Sequence, residues 1–86
     1  MKLKDFLLYL GEDTWVDVVH GCTVYGTYSV REFLLKKEPI LELSVEKKGV
    51  TARMDRCENI VANDSELRGE FFQKDKEMPY IEIYVE

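Results

Sequence analysis

The sequence has no apolar run longer than residues 6–10. A bilayer-spanning helix needs roughly 18 or more consecutive apolar residues, so no membrane span is expected. The same run follows Lys2 and Lys4 but is too short for a signal peptide, and no small-residue cleavage site comes after it. A soluble, cytoplasmic protein is the resulting expectation. Cysteine is equally scarce: Cys22 and Cys57 lack C-x-x-C spacing and fit a reducing compartment better than a disulfide scaffold. His20 is the one histidine, and no nucleophile sits in a recognisable elbow, which leaves nucleophilic catalysis without its usual partners. Basic residues are outnumbered 17 to 12 by acidic ones, for a formal net charge of −5. No basic stretch exceeds Lys36-Lys37 or Lys47-Lys48. A net negative surface repels phosphate backbones, so direct nucleic-acid binding is a poor reading, whereas a basic partner suits it.

What is present is enough for one core. Hydrophobic residues form 45% of the 86, and ten are aromatic. A chain of this length buries only about 60% of its unfolded surface, so most elements must serve the same core. A single domain over residues 1–86 is expected, with no linker, repeat or acidic tail.

Residues 29–45 carry the clearest local signals. Ser29 and Glu32 have the S-x-x-E spacing of a capping box, in which the Ser29 hydroxyl accepts from the Glu32 amide and the Glu32 carboxylate reaches back to the Ser29 amide. Phe33 and Leu34 then follow Val30 at helical spacing, Lys36 and Lys37 suit the last turn, and Pro39 stops the helix. Upstream, Leu3, Phe6, Leu7 and Leu10 share one helical face, with Gly11 placed for a left-handed cap. Residues 14–20 and 23–28 read as a β-hairpin turning at Gly21-Cys22, with Gly26 marking a bulge.

Beyond Pro39, Leu41, Leu43 and Val45 alternate with polar residues. Gly49 would close a second hairpin that sets Val45 against Val50, Leu43 against Ala52, Leu41 against Met54 and Glu42 against Arg53. Residues 67–72 are expected as a strand, and residues 80–86 form the last one, with Ile81, Ile83 and Val85 inward. The expected fold is α+β: an antiparallel sheet of about five or six strands with two helices packed on one face. Phe6, Leu7, Val16, Val18, Phe33, Leu34, Leu41, Leu43, Ile81 and Ile83 should form the core.

Candidate chemistry is sparse. His20, Cys22 and Cys57 are zinc-compatible residue types, but their spacing is not that of a finger, and free cysteines with a hairpin-end histidine account for them equally. No metal, cofactor or catalytic residue is expected. Arg31 with Lys36 and Lys37 could meet an anion, or form a solvated helix face. Tyr25 and Tyr28 beside Gly26 could stack on a base, or simply pack.

The pattern that points to function is the polar sheet face. Trp15, Asp17, Glu42, Glu46, Tyr80, Glu82, Tyr84 and Glu86, with Arg53, are all expected to point away from the helices. Tyrosine and tryptophan pair apolar area with a polar handle and are enriched at binding hot spots. The expected function is therefore non-enzymatic protein binding by this face, against a basic surface.

The helix of residues 1–7, the Trp-Val-Asp-Val-Val strand at 15–19, the Gly-Thr-Tyr-Ser-Val-Arg-Glu-Phe-Leu turn at 26–34 and the Ile-Glu-Ile-Tyr-Val strand at 81–85 together resemble short accessory and counter-defence proteins of bacteriophages and mobile elements, such as anti-CRISPR proteins. Residues 47–79 have no counterpart in that group. The resemblance implies an inhibitor that binds a host protein, and it transfers no site residue. The alternatives are an oligomeric sponge that sequesters a nucleotide-like signal and a self-assembling structural subunit; a homo-oligomer is compatible with each.

Overall fold

The computed structural model describes residues 1–86. The chain folds as α1 (Leu3–Leu8), β1 (Trp15–His20), β2 (Thr23–Ser29), α2 (Val30–Lys36), a 3-10 turn (Pro39–Glu42), β3 (Val45–Arg56), α3 (Cys57–Ile60), a second 3-10 turn (Glu66–Arg68) and β4 (Glu77–Val85). The fold is α+β, but the sheet is mixed and four-stranded, in the order β2-β1-β4-β3, rather than antiparallel with five or six strands. β1 and β2 form the expected antiparallel hairpin. β4 enters between β1 and β3, parallel to the first and antiparallel to the second.

Local chemistry explains the elements that match their sequence signals. The Ser29 hydroxyl accepts from the Glu32 amide at 3.1 Å, and α2 starts there. The helix ends at Lys37, which takes the left-handed conformation itself (φ 52°) ahead of Pro39. Gly26 (φ 87°) supplies the extra residue of β2 where the register slips between Asp17 and Val19, a glycine bulge.

One face of the sheet carries the main core. Val16, Val18, Ile83 and Val85 meet Leu3 and Leu7 of α1, Val30 and Phe33 of α2, and Ile40 and Leu41 of the 3-10 turn, all buried. Tyr28 closes this layer edge-on to Phe33 at 6.0 Å. Phe6, Leu34, Leu43 and Ile81 are partly buried around it.

Several expectations fail for identifiable reasons. Residues 41–44 form no strand, because Pro39 at a helix start and its successors close a 3-10 turn that still delivers Ile40 and Leu41 to the core. The second hairpin is absent: residues 45–56 run as one strand, bulged against β4 between Val45 and Val50. Gly49 does not turn the chain. A Cβ there would lie 2.9 Å from the Tyr84 carbonyl, so glycine is needed for close approach rather than for positive φ. Residues 67–72 form turns instead of a strand. α1 ends at Leu8, and Gly11 is not left-handed.

The largest departure is the segment from Cys57 to Lys76, which crosses the face that was expected to be left to solvent or a partner. Cys57, Val61 and Met78 form a second, small core there, with Trp15, Ile60, Leu67 and Phe72 packed on it. Arg68 organises this excursion by donating to the carbonyls of Val61 (2.7 Å) and Glu58 (3.2 Å) while stacking on Phe72 at 4.6 Å. Its far end is tied to β2 by the Ala62 amide on the Thr27 carbonyl at 3.1 Å. Asp64 then accepts from Tyr28 and, at 2.9 Å, from Lys36. The Glu32 carboxylate accepts from the Ser65 hydroxyl and the Glu66 amide, each at 3.0 Å, and at 3.4 Å from the Ser29 hydroxyl rather than from the Ser29 amide.

Candidate functional site

The face opposite the helices holds a polar cluster at the centre of the sheet. Period-2 alternation sends Asp17 of β1 and Tyr80, Glu82 and Tyr84 of β4 to that face while Val16, Val18, Ile81 and Ile83 take the other. Register aligns Thr27, Asp17, Glu82 and Thr51 in one row across all four strands, and places Arg53 opposite Tyr80. Arg53 Nε donates to Glu82 Oε1 at 3.0 Å, the pairing that had been expected for Glu42.

Asp17 is the unusual member. It is only 7% exposed, and its Oδ1 has no hydrogen-bond partner; neither has the Oγ1 of Thr27, the residue directly across the β1–β2 pair. Burial first, and the neighbouring Glu82 charge second, push the Asp17 carboxyl up to about 6, with the Gly26 amide pulling the other way. Burial, then the Glu82 and Asp17 charges, also raise the Tyr80 phenol. Tyr84 is raised by hydrogen bonding to Glu82 and by its charge. Beside Asp17 lies an open cleft of about 540 Å³ between β2 and the excursion, lined also by Gly26, Ile60 and Asp64.

The site residues expected from sequence divide accordingly. Asp17, Tyr80, Glu82 and Tyr84 come together with Arg53, but Asp17 and Tyr80 are buried and Glu82 is paired, leaving Tyr84, at 36%, the most open of the four. Trp15 points to the same face yet is half-buried against the small second core. Glu42 is on the helix side, in the 3-10 turn, where bonds from Lys4 (2.8 Å) and Lys2 (2.9 Å) push its carboxyl down to about 2. Glu46 is exposed in the β3 bulge, and Glu86 lies beyond β4 with its amide on the Ser44 carbonyl. Neither joins the cluster.

The zinc-compatible residues separate: Cys22 is exposed at the hairpin turn and Cys57 is buried in the second core. No group of three or more His, Cys, Asp or Glu side chains is placed to hold a metal ion. Tyr25 and Tyr28 pack edge-on against Phe33. No helix is long and apolar enough to cross a membrane.

Sequence reasoning did not single out Thr27 or Arg68, and it read Glu32 as a capping residue alone, without its ties to Ser65 and Glu66. The available signal for the site was Asp17 itself, a charge set in the middle of a β-branched strand. No known family model, curated protein or solved structure matches the chain.

Proposed function

We propose that this chain is a small, non-enzymatic acidic binding protein that covers a basic surface of a larger protein, and that the Asp17–Glu82 row is where a cationic side chain is received. The reading rests on one observation: Asp17, a buried carboxylate with an unpartnered oxygen, lines an open cleft and has a second carboxylate, Glu82, paired beside it on β4. A buried polar group without a partner is costly, and a guanidinium or ammonium from a partner would relieve both the missing hydrogen bond and the repulsion from Glu82. Tyr84, two residues along β4 from Glu82 and more exposed than Asp17, Tyr80 or Glu82, adds apolar contact area, and the net charge of −5 favours approach of a basic surface.

The test uses a hexa-arginine peptide followed by amide NMR and calorimetry near pH 6. Binding should shift Asp17, Gly26 and Tyr84 together and release protons, because a cation lowers the Asp17 carboxyl; Asp17→Asn should lose the proton release and much of the affinity. Shifts spread evenly over the acidic surface, unaltered by Asp17→Asn, would overturn the assignment.

A second reading has its own observation. Trp15, Arg53 and Tyr80 line a cavity of about 330 Å³, a residue set suited to a nucleotide-like signal. It ranks lower because Arg53 is already engaged by Glu82, and Asp13 and the Asp17–Glu82 pair disfavour phosphate nearby. Quenching of Trp15 fluorescence by nucleoside phosphates would raise it to first place.

A further inference from the structure

A third cavity, of about 230 Å³, shares only Trp15 with the 330 Å³ cavity and no residue with the 540 Å³ cleft. Its walls are aromatic and sulfur-bearing: Trp15 of β1, Phe71 and Phe72 of the excursion, Cys57 and Met78. The frame is fixed. Cys57 and Met78 belong to the second core, Phe72 packs on it, and Arg68 stacks on the Phe72 ring at 4.6 Å. Amide-to-carbonyl bonds from Cys57 to Lys76 (2.8 Å), Phe72 to Gly69 (3.1 Å) and Lys76 to Gln73 (3.1 Å) hold the surrounding chain. Phe71 is the exception: its ring is 88% exposed, so it adds almost no burial to the fold while lining the cavity.

The charge at this cavity runs against that of the whole molecule. In a chain of net charge −5, the 330 Å³ cavity is lined by Asp13 and the 540 Å³ cleft by Asp17, Glu58 and Asp64. No carboxylate lines the third; its two polar members are Lys76 and Gln73, both exposed. The Lys76 ammonium makes no ion pair, whereas Lys2, Lys4 and Lys36 each hold a carboxylate. Of the acids that flank Lys76, Asp75 lies 4.0 Å from Arg56, and the two-residue period of β4 that brings Met78 to the cavity turns Glu77 to the other face.

We propose that this cavity binds a small aryl carboxylate, its ring among Trp15, Phe71, Phe72 and the two sulfurs, and its carboxylate on Lys76 with the Gln73 amide as a further donor. A dry cavity of about 150 Å³ already admits benzene, so the volume here takes one ring and a short acid-bearing chain. Ring–ring and sulfur–ring contacts each add to plain apolar burial, which favours an aromatic guest over an aliphatic one. An unpaired ammonium at the cavity selects a carboxylate over its neutral amide. The inference stands independently of what the Asp17–Glu82 row binds.

The probes are 3-phenylpropionate, its amide and 3-phenylpropylamine, each titrated into the full chain. Trp15 is the one tryptophan, so its fluorescence reads the cavity wall, and NMR shifts locate the probe. The acid should bind about fivefold tighter than the amide, and the amine most weakly, with shifts at Phe72, Lys76 and Met78 rather than at Ala52 and Ile81 of the 330 Å³ cavity. Lys76→Gln should erase the preference for the acid while leaving amide binding unchanged, and Phe71→Ala should weaken all three probes. Both side chains are exposed, so the variants should fold, which far-UV circular dichroism checks. Equal affinity for acid and amide would make the cavity a socket for a neutral ring and overturn the proposal. A Trp15 signal unchanged at about 10 mM probe, shifts confined to Ala52 and Ile81, or a preference for the acid that survives Lys76→Gln would overturn it equally.

Discussion

Asp17 and Glu82 hold paired positions on the two parallel central strands, so two carboxylates lie side by side on one face of the sheet, one of them buried with an oxygen that no donor reaches. A parallel neighbour at this point is what makes the site. With β2 alone beside it, Asp17 would face a threonine and solvent.

Stability should therefore fall as pH rises through the weakly acidic range. The folded Asp17 keeps its proton up to about 6 while the unfolded chain releases it near 3.8, so the folded state binds more protons between these values. This contribution is complete below about 3.8 and is lost as pH rises through about 6. Asp17→Asn should match wild type below about pH 4 and exceed it above pH 7 by on the order of 2 kcal/mol. Urea unfolding across this range checks it; parallel profiles for the two proteins would remove Asp17 as the cause.

Arg68→Ala should loosen the excursion without dissolving the main core. It strips the donor from the Val61 and Glu58 carbonyls and the stacking on Phe72, a loss of about 1–3 kcal/mol. Hydrogen exchange should accelerate at residues 57–76 while the amides of β1 and β4 stay protected.

Two glycines should resist substitution for different reasons. Gly49→Ala drives a Cβ to 2.9 Å from the Tyr84 carbonyl and should cost about 1–3 kcal/mol by overpacking. Gly26→Ala adds strain at φ 87° to a 3.0 Å contact with Ala62 and should be at least as costly. Gly21 has open space around it, so only its positive φ (60°) is at stake there. Thermal melts of the three variants should rank Gly21→Ala as the mildest.

Core substitutions should follow burial. Phe33→Ala, at a fully buried position, should cost about 3–5 kcal/mol, and Leu43→Ala, at a partly buried one after the 3-10 turn, distinctly less. Equal losses in chemical denaturation would contradict this arrangement of the core.

The sequence by itself determined the elements whose causes are local. Ser29 starts α2 because a hydroxyl can reach an amide three residues on; Gly26 permits a bulge because it lacks a Cβ; the alternation over residues 80–85 decides which side chains of β4 face inward, since a strand has period two. Face assignment was thus legible for Val16, Val18 and Ile83 and, on the other side, for Asp17, Glu82 and Tyr84. Only the tertiary structure decided the neighbours. Alternation says which way Asp17 points but not that β4 will lie parallel to β1 beside it, because that pairing joins residues more than 60 positions apart in the chain. Nor does it reveal that residues 57–76 fold back over this face and bury Asp17, since that segment is held by single contacts from Arg68, Glu32 and Asp64 that have no periodicity to read. Residues 41–45 alternate as a strand would, yet the strand begins only at Val45, because Pro39 starts a 3-10 turn that buries Ile40 and Leu41 without a sheet.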